Sequence, residues 1–456
     1  MGLSSIFFGV DVVMAKEKKL FEVELAFDSL SIYRNILEDC LIKKLRMLIQ
    51  MVNSEEVELG AVVNLYNEFY FNLIKTGSIS FQNYLLNKMI FDENPFSFNA
   101  QNDSITIYDK VVLNDFENLQ SIAQISSDLI KKRLTYILSD NEFSLKVIKK
   151  LPEWEDKYTT KEEKLEHIAK LKEKVTSYNN WNEAIAHIKS FYFSNGSGIF
   201  GKYKAFMWGD GMLKGIKEPD EVKLSELIGY EAEREIIIEN TLQLIKGKRA
   251  NNVLLYGDRG TGKSSTVKAI LNEYYKDGLR MIEVSKADLF DLPSIINNLK
   301  GRPQKFIIFI DDLVFADDDE SYNVLKAILE GGLEGKAPNV IIYATSNRRH
   351  LVKEYFYERS GFNPLDKNSE IHAGDSIQEK LSLADRFGIT VVYSSPDKKK
   401  FLDIVEGLAE MRNLKIDKEV LRAEAVKWEL WYNGRSPRTA RQFIDWLEGS
   451  KIIKNT

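Results

Sequence analysis

The chain has 456 residues, 44% hydrophobic and 29% charged, with a formal net charge of −5 and an isoelectric point near 5.7. That length suggests about three domains with ample core, and the acidic balance excludes global basicity as a pointer to nucleic acid, leaving only a local basic patch for such a partner. Cys40 is the single cysteine, so an intrachain disulfide is excluded, a reducing compartment is expected, and the thiol itself reads as buried filler.

No run approaches the roughly 18 uninterrupted apolar residues that a spanning helix needs. The opening stretch Gly2–Met14 is short, broken by Asp11 and without a basic leader. It is expected to be a packed N-terminal segment rather than a signal peptide, and the protein is expected in the cytoplasm. Residues 1–200 are poor in glycine and hold only Pro95 and Pro152. Leu30, Tyr33, Ile36, Leu37 and Cys40, then Leu41, Leu45 and Leu48, follow helical spacing. Residues 93–104 form a polar break, and a second lies near Pro152. Thr160 and Glu163 have capping-box spacing, ahead of an amphipathic helix carrying Ile168, Leu171, Val175 and Tyr178. No catalytic constellation occurs in this half. His167 and His187 lack acidic or cysteine partners and read as ordinary surface or core residues.

Residues 194–221, with Ser-Asn-Gly-Ser-Gly, Gly209, Gly211, Gly215 and Pro219, break periodicity. The expected layout is a mostly helical region over 1–200, a linker over 201–221, an α/β core over 222–395 and a helical domain over 396–456. Strands are predicted at Asn252–Tyr256, Arg280–Val284, Phe306–Ile310, Val340–Ala344 and Ile389–Tyr393, mostly separated by helical stretches. That alternation argues for a parallel sheet covered on both faces.

The first of these strands runs into Gly257-Asp258-Arg259-Gly260-Thr261-Gly262-Lys263-Ser264-Ser265. Gly257, Gly260 and Gly262 permit a tight turn whose N–H groups face inward, and the following helix N-terminus completes an anion site. Lys263 can reach the β- and γ-phosphates of a nucleotide, and the Ser264 hydroxyl can ligate Mg²⁺. The third strand ends in Asp311-Asp312. Asp311 suits a carboxylate holding Mg²⁺ through water opposite Ser264. Asp312 either orients and deprotonates an attacking water or simply turns the chain after the strand. The acidic run Ala316–Glu320 reads as a solvated loop.

The fourth strand ends at Thr345-Ser346-Asn347-Arg348-Arg349-His350. Asn347 either bonds the γ-phosphate and the water or serves as a turn residue. Arg348 and Arg349 stay open between phosphate, partner and solvent, and His350 reads as structural or exposed. Residues 359–376 form a long polar loop suited to mobility or a partner site. After Ser395-Pro396-Asp397 the pattern becomes three or four helices.

Together these residues resemble the AAA+ ATPases. Gly257–Ser264 matches Walker A, Phe306–Asp312 Walker B, and Asn347 sensor 1. In Ala384-Asp385-Arg386-Phe387-Gly388, Arg386 resembles the arginine finger of initiator-type members, which implies a homo-oligomer with the finger acting in trans. In Gly434-Arg435-Ser436-Pro437-Arg438-Thr439-Ala440-Arg441, Arg438 falls where sensor 2 sits, with Arg435 and Arg441 as runners-up. Leu227-Ile228-Gly229-Tyr230-Glu231 resembles the element that packs on adenine, which implies base contacts at Ile228 and Gly229. At finer grain the motifs look like one bacterial family of predicted AAA+ ATPases, catalogued as domain of unknown function 815.

The resemblance implies a P-loop core with a helical lid, ATP and Mg²⁺ as ligands, and hydrolysis to ADP and phosphate coupled to remodelling of a macromolecule. An unknown protein partner is expected on the N-terminal half. Two departures stand out. Asp312 replaces the usual Glu and is one methylene shorter, which leaves the turnover rate open. Leu289-Phe290-Asp291 lacks the glycine of an aromatic pore loop, so Phe290 and Leu292 read as helix-start packing. Two alternatives remain. One is an initiator- or loader-like ATPase on nucleic acid, opposed by the acidic balance and the lack of a recognisable DNA-binding motif. The other is a nucleotide switch that hydrolyses almost nothing.

Overall fold

Seven short runs fold as strands; the central ones are apolar on both alternating faces and buried between helical layers, whereas those toward the edges carry exposed residues. In chain order they are β1 (Ala205–Gly209), β2 (Met212–Gly215), β3 (Val253–Gly257), β4 (Leu279–Glu283), β5 (Lys305–Ile310), β6 (Val340–Ser346) and β7 (Ile389–Tyr393). The structure is a computed structural model and describes residues 19–54, 56–77, 80–100, 108–139, 141–154, 166–315, 319–331, 337–347, 383–432 and 434–454. Gly2–Met14, the Thr160 and Glu163 pair, residues 316–318 of the acidic run, Arg348, Arg349, His350 and the 359–376 loop lie outside them.

The seven strands form one sheet in the order β2-β1-β4-β5-β6-β3-β7. Every neighbouring pair is parallel except β1 with β2. The chain leaves β3 toward β4 on one side and returns later to β7 on the other. Such a reversal opens a crevice at the carboxyl ends of the strands, where open α/β sheets bind ligands. β6 lies between β3 and β5, so the ends of all three strands border that crevice.

The helices of this unit are α1 (Glu231–Ile245), α2 (Lys263–Tyr274), α3 (Leu292–Leu299), α4 (Ser321–Glu330), α5 (Lys398–Met411), α6 (Lys418–Trp431) and α7 (Pro437–Lys454). Val253, Leu255, Val267, Ile307, Tyr343 and Val391 share one core with Phe401, Ile404 and Phe443, so α5 and α7 are packed into the same apolar body as the sheet.

The expected linker over 201–221 is corrected by the structure, because it contains the β1–β2 hairpin. Asp210 and Gly211 link the strands with φ of +56° and +73°, the paired left-handed residues of a type I′ turn. Gly215 is required there, since a Cβ would fall 2.1 Å from the Tyr203 ring. Gly209, Gly211 and Gly215, read as breakers, are therefore hairpin residues.

The chain divides by its contacts into two units, Met1–Lys202 and Tyr203–Thr456. The first is mostly helical around its own core, in which Tyr66, Phe69, Phe81 and Trp154 are buried. Two expectations change here. The helical spacing through Leu30–Cys40 is interrupted: helix 19–28 ends, a 3₁₀ turn spans Arg34–Glu38, and a new helix begins at Cys40. The buried Asp115 carboxylate accepts the N–H groups of Ser31 at 2.9 Å, Ile32 at 2.7 Å and Tyr33 at 2.9 Å, which satisfies the break in a way no local pattern announces. Cys40 is exposed rather than buried, because Asp39 caps that new helix and leaves its first residue outside. Within the predicted polar break, Pro95–Ala100 is a short helix, opened by reciprocal bonds between Asn94 and Ser97. No helix among the described residues is long and apolar enough to cross a membrane.

Candidate functional site

The turn after β3 depends on glycine. Gly257, Gly260 and Gly262 have φ of +139°, +76° and +96°. A Cβ on Gly257 would sit 2.1 Å from the Tyr393 carbonyl oxygen, so only glycine lets β3 run on beside β7. Asp258 N–H donates to that same carbonyl at 2.9 Å, and Thr261 Oγ1 donates to the Asp258 carbonyl at 2.8 Å. α2 starts immediately afterwards at Lys263. Its unsatisfied first-turn amides and the positive end of its dipole border a cavity of about 580 Å³, lined by Arg259–Ser265, Asp311, Asp312, Thr345 and Asn347.

Lys263 is nearly buried. Its Nζ donates to the carbonyls of Gly257 at 2.9 Å and Asp258 at 2.7 Å and to Asn347 Oδ1 at 3.0 Å. Burial holds its pKa below the ordinary lysine value and Arg438 acts in the same sense, against the pull of Asp258, Asp312 and Asp311. Ser264 Oγ donates to Asp311 Oδ1 at 2.6 Å, across the crevice between the α2 start and the end of β5. Asn347 Nδ2 donates to Asp312 Oδ1 at 2.6 Å. Asp312 itself has φ +50°, a left-handed backbone that costs a non-glycine residue about 1–2 kcal/mol. The hydroxyl of Thr345 contacts both acids.

α7 closes the cavity from the other side. Arg438 N–H donates to the Gly260 carbonyl at 3.1 Å, and a Cβ on Gly260 would press on Arg438 Cβ at 3.1 Å. Arg438 and Arg441 both line the cavity. Asp258 Oδ2 accepts the N–H of Ser395 at 2.7 Å, and this bond first of all holds the Asp258 carboxyl below its ordinary value. A second, narrow cleft of about 30 Å³ opens beside Ile228, Gly229, Tyr230, Tyr393, Ile404 and Arg441. Tyr230, at φ +62°, stacks on Tyr393 at 5.2 Å and donates its hydroxyl to the Ser394 carbonyl at 2.6 Å. Lys400 Nζ lies 3.8 Å from the Tyr230 ring centroid, a cation–π contact.

Residues 201–451, more than half of the chain, match the family described as a protein of unknown function, DUF815. The chain belongs to this family. No curated protein matches it in sequence. Solved structures similar to it include the Holliday junction branch migration motor RuvB of Thermotoga maritima, at 18% identity and TM-score 0.34 over 51% of this chain and 66% of that one. Two variants of the same Thermotoga motor match similarly, one at 18% identity and TM-score 0.35 over 51% of this chain and 67% of that one. The other is at 17% identity and TM-score 0.33, over 52% and 67%. The chain thus spans just under two thirds of the first motor's length.

In this DUF815 chain the structure brings together, around one crevice, Arg259–Ser265, Asp311, Asp312, Asn347 and Arg438, with Ile228 and Gly229 beside the adjoining cleft; Gly257 and Asp258 stand behind them, their carbonyls accepting from Lys263. It does not bring Arg386 there. Arg386 Nε donates to Glu330 Oε1 at 2.5 Å, next to α4, and Arg386 does not line the cavity of its own chain. Of the runners-up, Arg435 is engaged with Glu429 at 2.6 Å, whereas Arg441 borders both openings. Leu292 is buried as expected, but Phe290 is 55% exposed, so it is not helix-start packing. Of the described acids of the polar run, Asp319 pairs with Lys286 at 2.5 Å rather than standing only in solvent.

Among the described residues, no cluster of three or more His, Cys, Asp or Glu side chains is placed to hold a metal. Ser264 Oγ and Asp311 Oδ1, adjacent beside the phosphate loop, nevertheless suit Mg²⁺. That ion takes one or two protein oxygens and completes its shell with waters and substrate phosphates.

Sequence reasoning missed Thr345, Ser395 and Tyr393 as parts of the site. Thr345 alone carried a signal, as a hydroxyl residue at the end of a buried strand and two positions before Asn347.

Proposed function

We propose that the Tyr203–Thr456 unit binds ATP with Mg²⁺ and hydrolyses it to ADP and phosphate, with 222–395 as the nucleotide core and 396–456 as a lid. The observation that carries this reading is the Ser264–Asp311 contact at 2.6 Å beside the three-way hydrogen-bonded Lys263, at the mouth of a glycine-built anion loop. Lys263 and the loop amides would bind the β- and γ-phosphates. Ser264 and Asp311 would hold Mg²⁺, which neutralises charge on those phosphates when bound. Asp312 is the general base for the attacking water, and Asn347 orients the water and the γ-phosphate. Arg438 contacts the phosphates from α7. Asp258 ties the loop to Tyr393 and Ser395, and the Gly260 carbonyl ties it to Arg438 at the start of α7, which supports a mechanical link between nucleotide occupancy and the position of α7.

The base would enter beside Ile228 and Gly229. The cleft, about 30 Å³, adjoins the larger cavity through Thr261, Gly262 and Arg441, which line both. The placement of Arg386 outside its own chain's cavity supports a finger delivered to a neighbouring subunit, hence a homo-oligomer. The helical Met1–Lys202 unit is assigned to a protein partner and the assembly to the cytoplasm.

A second reading, a nucleotide switch with almost no turnover, is favoured by one feature. Asp312 is held in a left-handed conformation with its carboxylate already bonded to Asn347.

Steady-state phosphate release and ADP binding by wild type and Lys263→Ala separate the two. Turnover in the wild type that disappears in the variant supports the ATPase. Tight ADP binding with phosphate release no faster than in Lys263→Ala supports the switch.

A further inference from the structure

Thr345 is the penultimate residue of β6, and 2% of its surface is exposed. Its hydroxyl donates to Asp311 Oδ1 at 2.5 Å and accepts the N–H of Asp312 at 2.9 Å. Its carbonyl accepts the N–H of Leu313 at 2.7 Å. One residue therefore fixes three successive positions beyond the end of β5. A hydroxyl supplies one donor and two acceptor lone pairs, and here the donor and one lone pair are spent on the two neighbouring acids.

The Asp311 oxygen that Thr345 contacts is also the one that accepts from Ser264 Oγ. Asp312 sits at φ +50°, and such a conformation persists in a non-glycine residue only where the surroundings hold it. Its described holds are the Thr345 hydroxyl and Asp311 Oδ1 on its N–H and Asn347 Nδ2 on its carboxylate. The next residue behaves differently. The Ser346 hydroxyl is fully buried and donates to the Leu313 carbonyl at 2.8 Å, a tie within the core.

We propose that Thr345 is the positioning residue of the acidic pair: it aims the shared Asp311 oxygen at the Ser264 cation site and pins the backbone that presents the Asp312 carboxylate. Its consequence for turnover rests on the ATPase reading above, while the positioning itself is measurable without turnover. Thr345 acts through Asp311 and Asp312 and is not itself a catalytic residue.

The test compares full-length wild type, Thr345→Val and Thr345→Ser. Valine keeps the shape and removes both hydrogen bonds of the hydroxyl; serine keeps the hydroxyl and removes a methyl. Three quantities are read: amide hydrogen exchange at Asp312 and Leu313, the Mg²⁺ concentration that half-saturates turnover, and kcat with KM. In Thr345→Val the Asp312 amide is expected to exchange about tenfold faster, the Mg²⁺ midpoint to rise and kcat to fall by about 10–100-fold. Mg²⁺-free ADP binding and KM should stay within about twofold of wild type. Thr345→Ser should restore all of these.

Exchange, Mg²⁺ midpoint and kcat unchanged in Thr345→Val would overturn the proposal. So would a Thr345→Ser protein as impaired as Thr345→Val, because the methyl packing would then be the cause. If Thr345→Val does not fold, the serine variant alone decides: wild-type exchange at Asp312 supports the proposal and accelerated exchange refutes it. A wild type that binds ADP without ever releasing phosphate sinks the ATPase reading, and the exchange comparison still decides the role of Thr345.

Discussion

Asn347 joins Lys263 to Asp312: its Oδ1 accepts from Lys263 Nζ at 3.0 Å while its Nδ2 donates to Asp312 Oδ1 at 2.6 Å. A cation and a carboxylate are thereby linked through one neutral amide at the strand end between them. A γ-phosphate would draw both Lys263 and the Asn347 amide toward itself and leave Asp312 free for a water. Asn347→Ala is accordingly expected to keep nucleotide affinity within a few-fold and to lower kcat by about 10²–10³, the loss typical of one charge-stabilising donor. Single-turnover rates alongside equilibrium binding check this. A rise in kcat would mean that Asn347 restrains Asp312 rather than serving the reaction.

Lys263 gives a prediction with a pH signature. Lys263→Ala removes charged hydrogen bonds to phosphate worth about 1.5–3 kcal/mol, so nucleotide affinity should fall at least tenfold. Burial, aided by Arg438, sets the pKa of the free protein's Lys263 below the ordinary value, while bound phosphate favours the protonated form. Wild-type affinity should therefore be flat near neutral pH and decline as pH rises through that depressed value, before the ordinary lysine value of about 10.4 is reached. Calorimetric titration with ADP at a series of pH values, with Lys263→Ala as the flat control, reads this directly.

Two of the three glycines of the phosphate loop, Gly257 and Gly262, should respond differently to alanine. At Gly257 an added Cβ would meet Tyr393 backbone atoms at 2.1 Å and 2.6 Å, so Gly257→Ala should cost about 3 kcal/mol or more and distort the β3–β7 pairing. At Gly262 nothing lies within 4 Å, and Gly262→Ala carries only the left-handed strain of about 1–2 kcal/mol. Chemical denaturation of the two variants orders them; equal midpoints would show that the close approach to Tyr393 is not a constraint.

Arg386 is predicted to matter for turnover and not for folding. Its bond to Glu330 is partly exposed on both sides, so Arg386→Ala and Glu330→Ala should each change stability by no more than about 1 kcal/mol. Arg386→Ala should bind ADP like the wild type yet lose turnover by about 10³-fold, as removal of an arginine finger does. Wild-type activity per chain should also rise with protein concentration. Concentration-independent activity from a monodisperse monomer would remove the trans assignment.

The chain's own residues announced the parallel core and most of the crevice. Val253–Tyr256, Phe306–Ile310 and Val340–Ala344 are apolar runs long enough for a strand and too short for a helix, and their burial on both faces is a local property. The spacing from Gly257 to Ser264 is legible because phosphate binding needs those residue types within one turn. Only the tertiary structure decided which strand ends meet. Strand order set β6 between β3 and β5 and so made Thr345 a neighbour of Asp311, 34 positions away in sequence. The same is true of Asp258 with Ser395, 137 positions apart, and of Asp115, whose bonds to Ser31–Tyr33 across 82–84 positions cut a helix that local spacing had extended. Periodicity reports which face of an element is buried. A hydrogen bond between distant polar groups depends on how the buried faces dock, and that is settled only when the whole core packs.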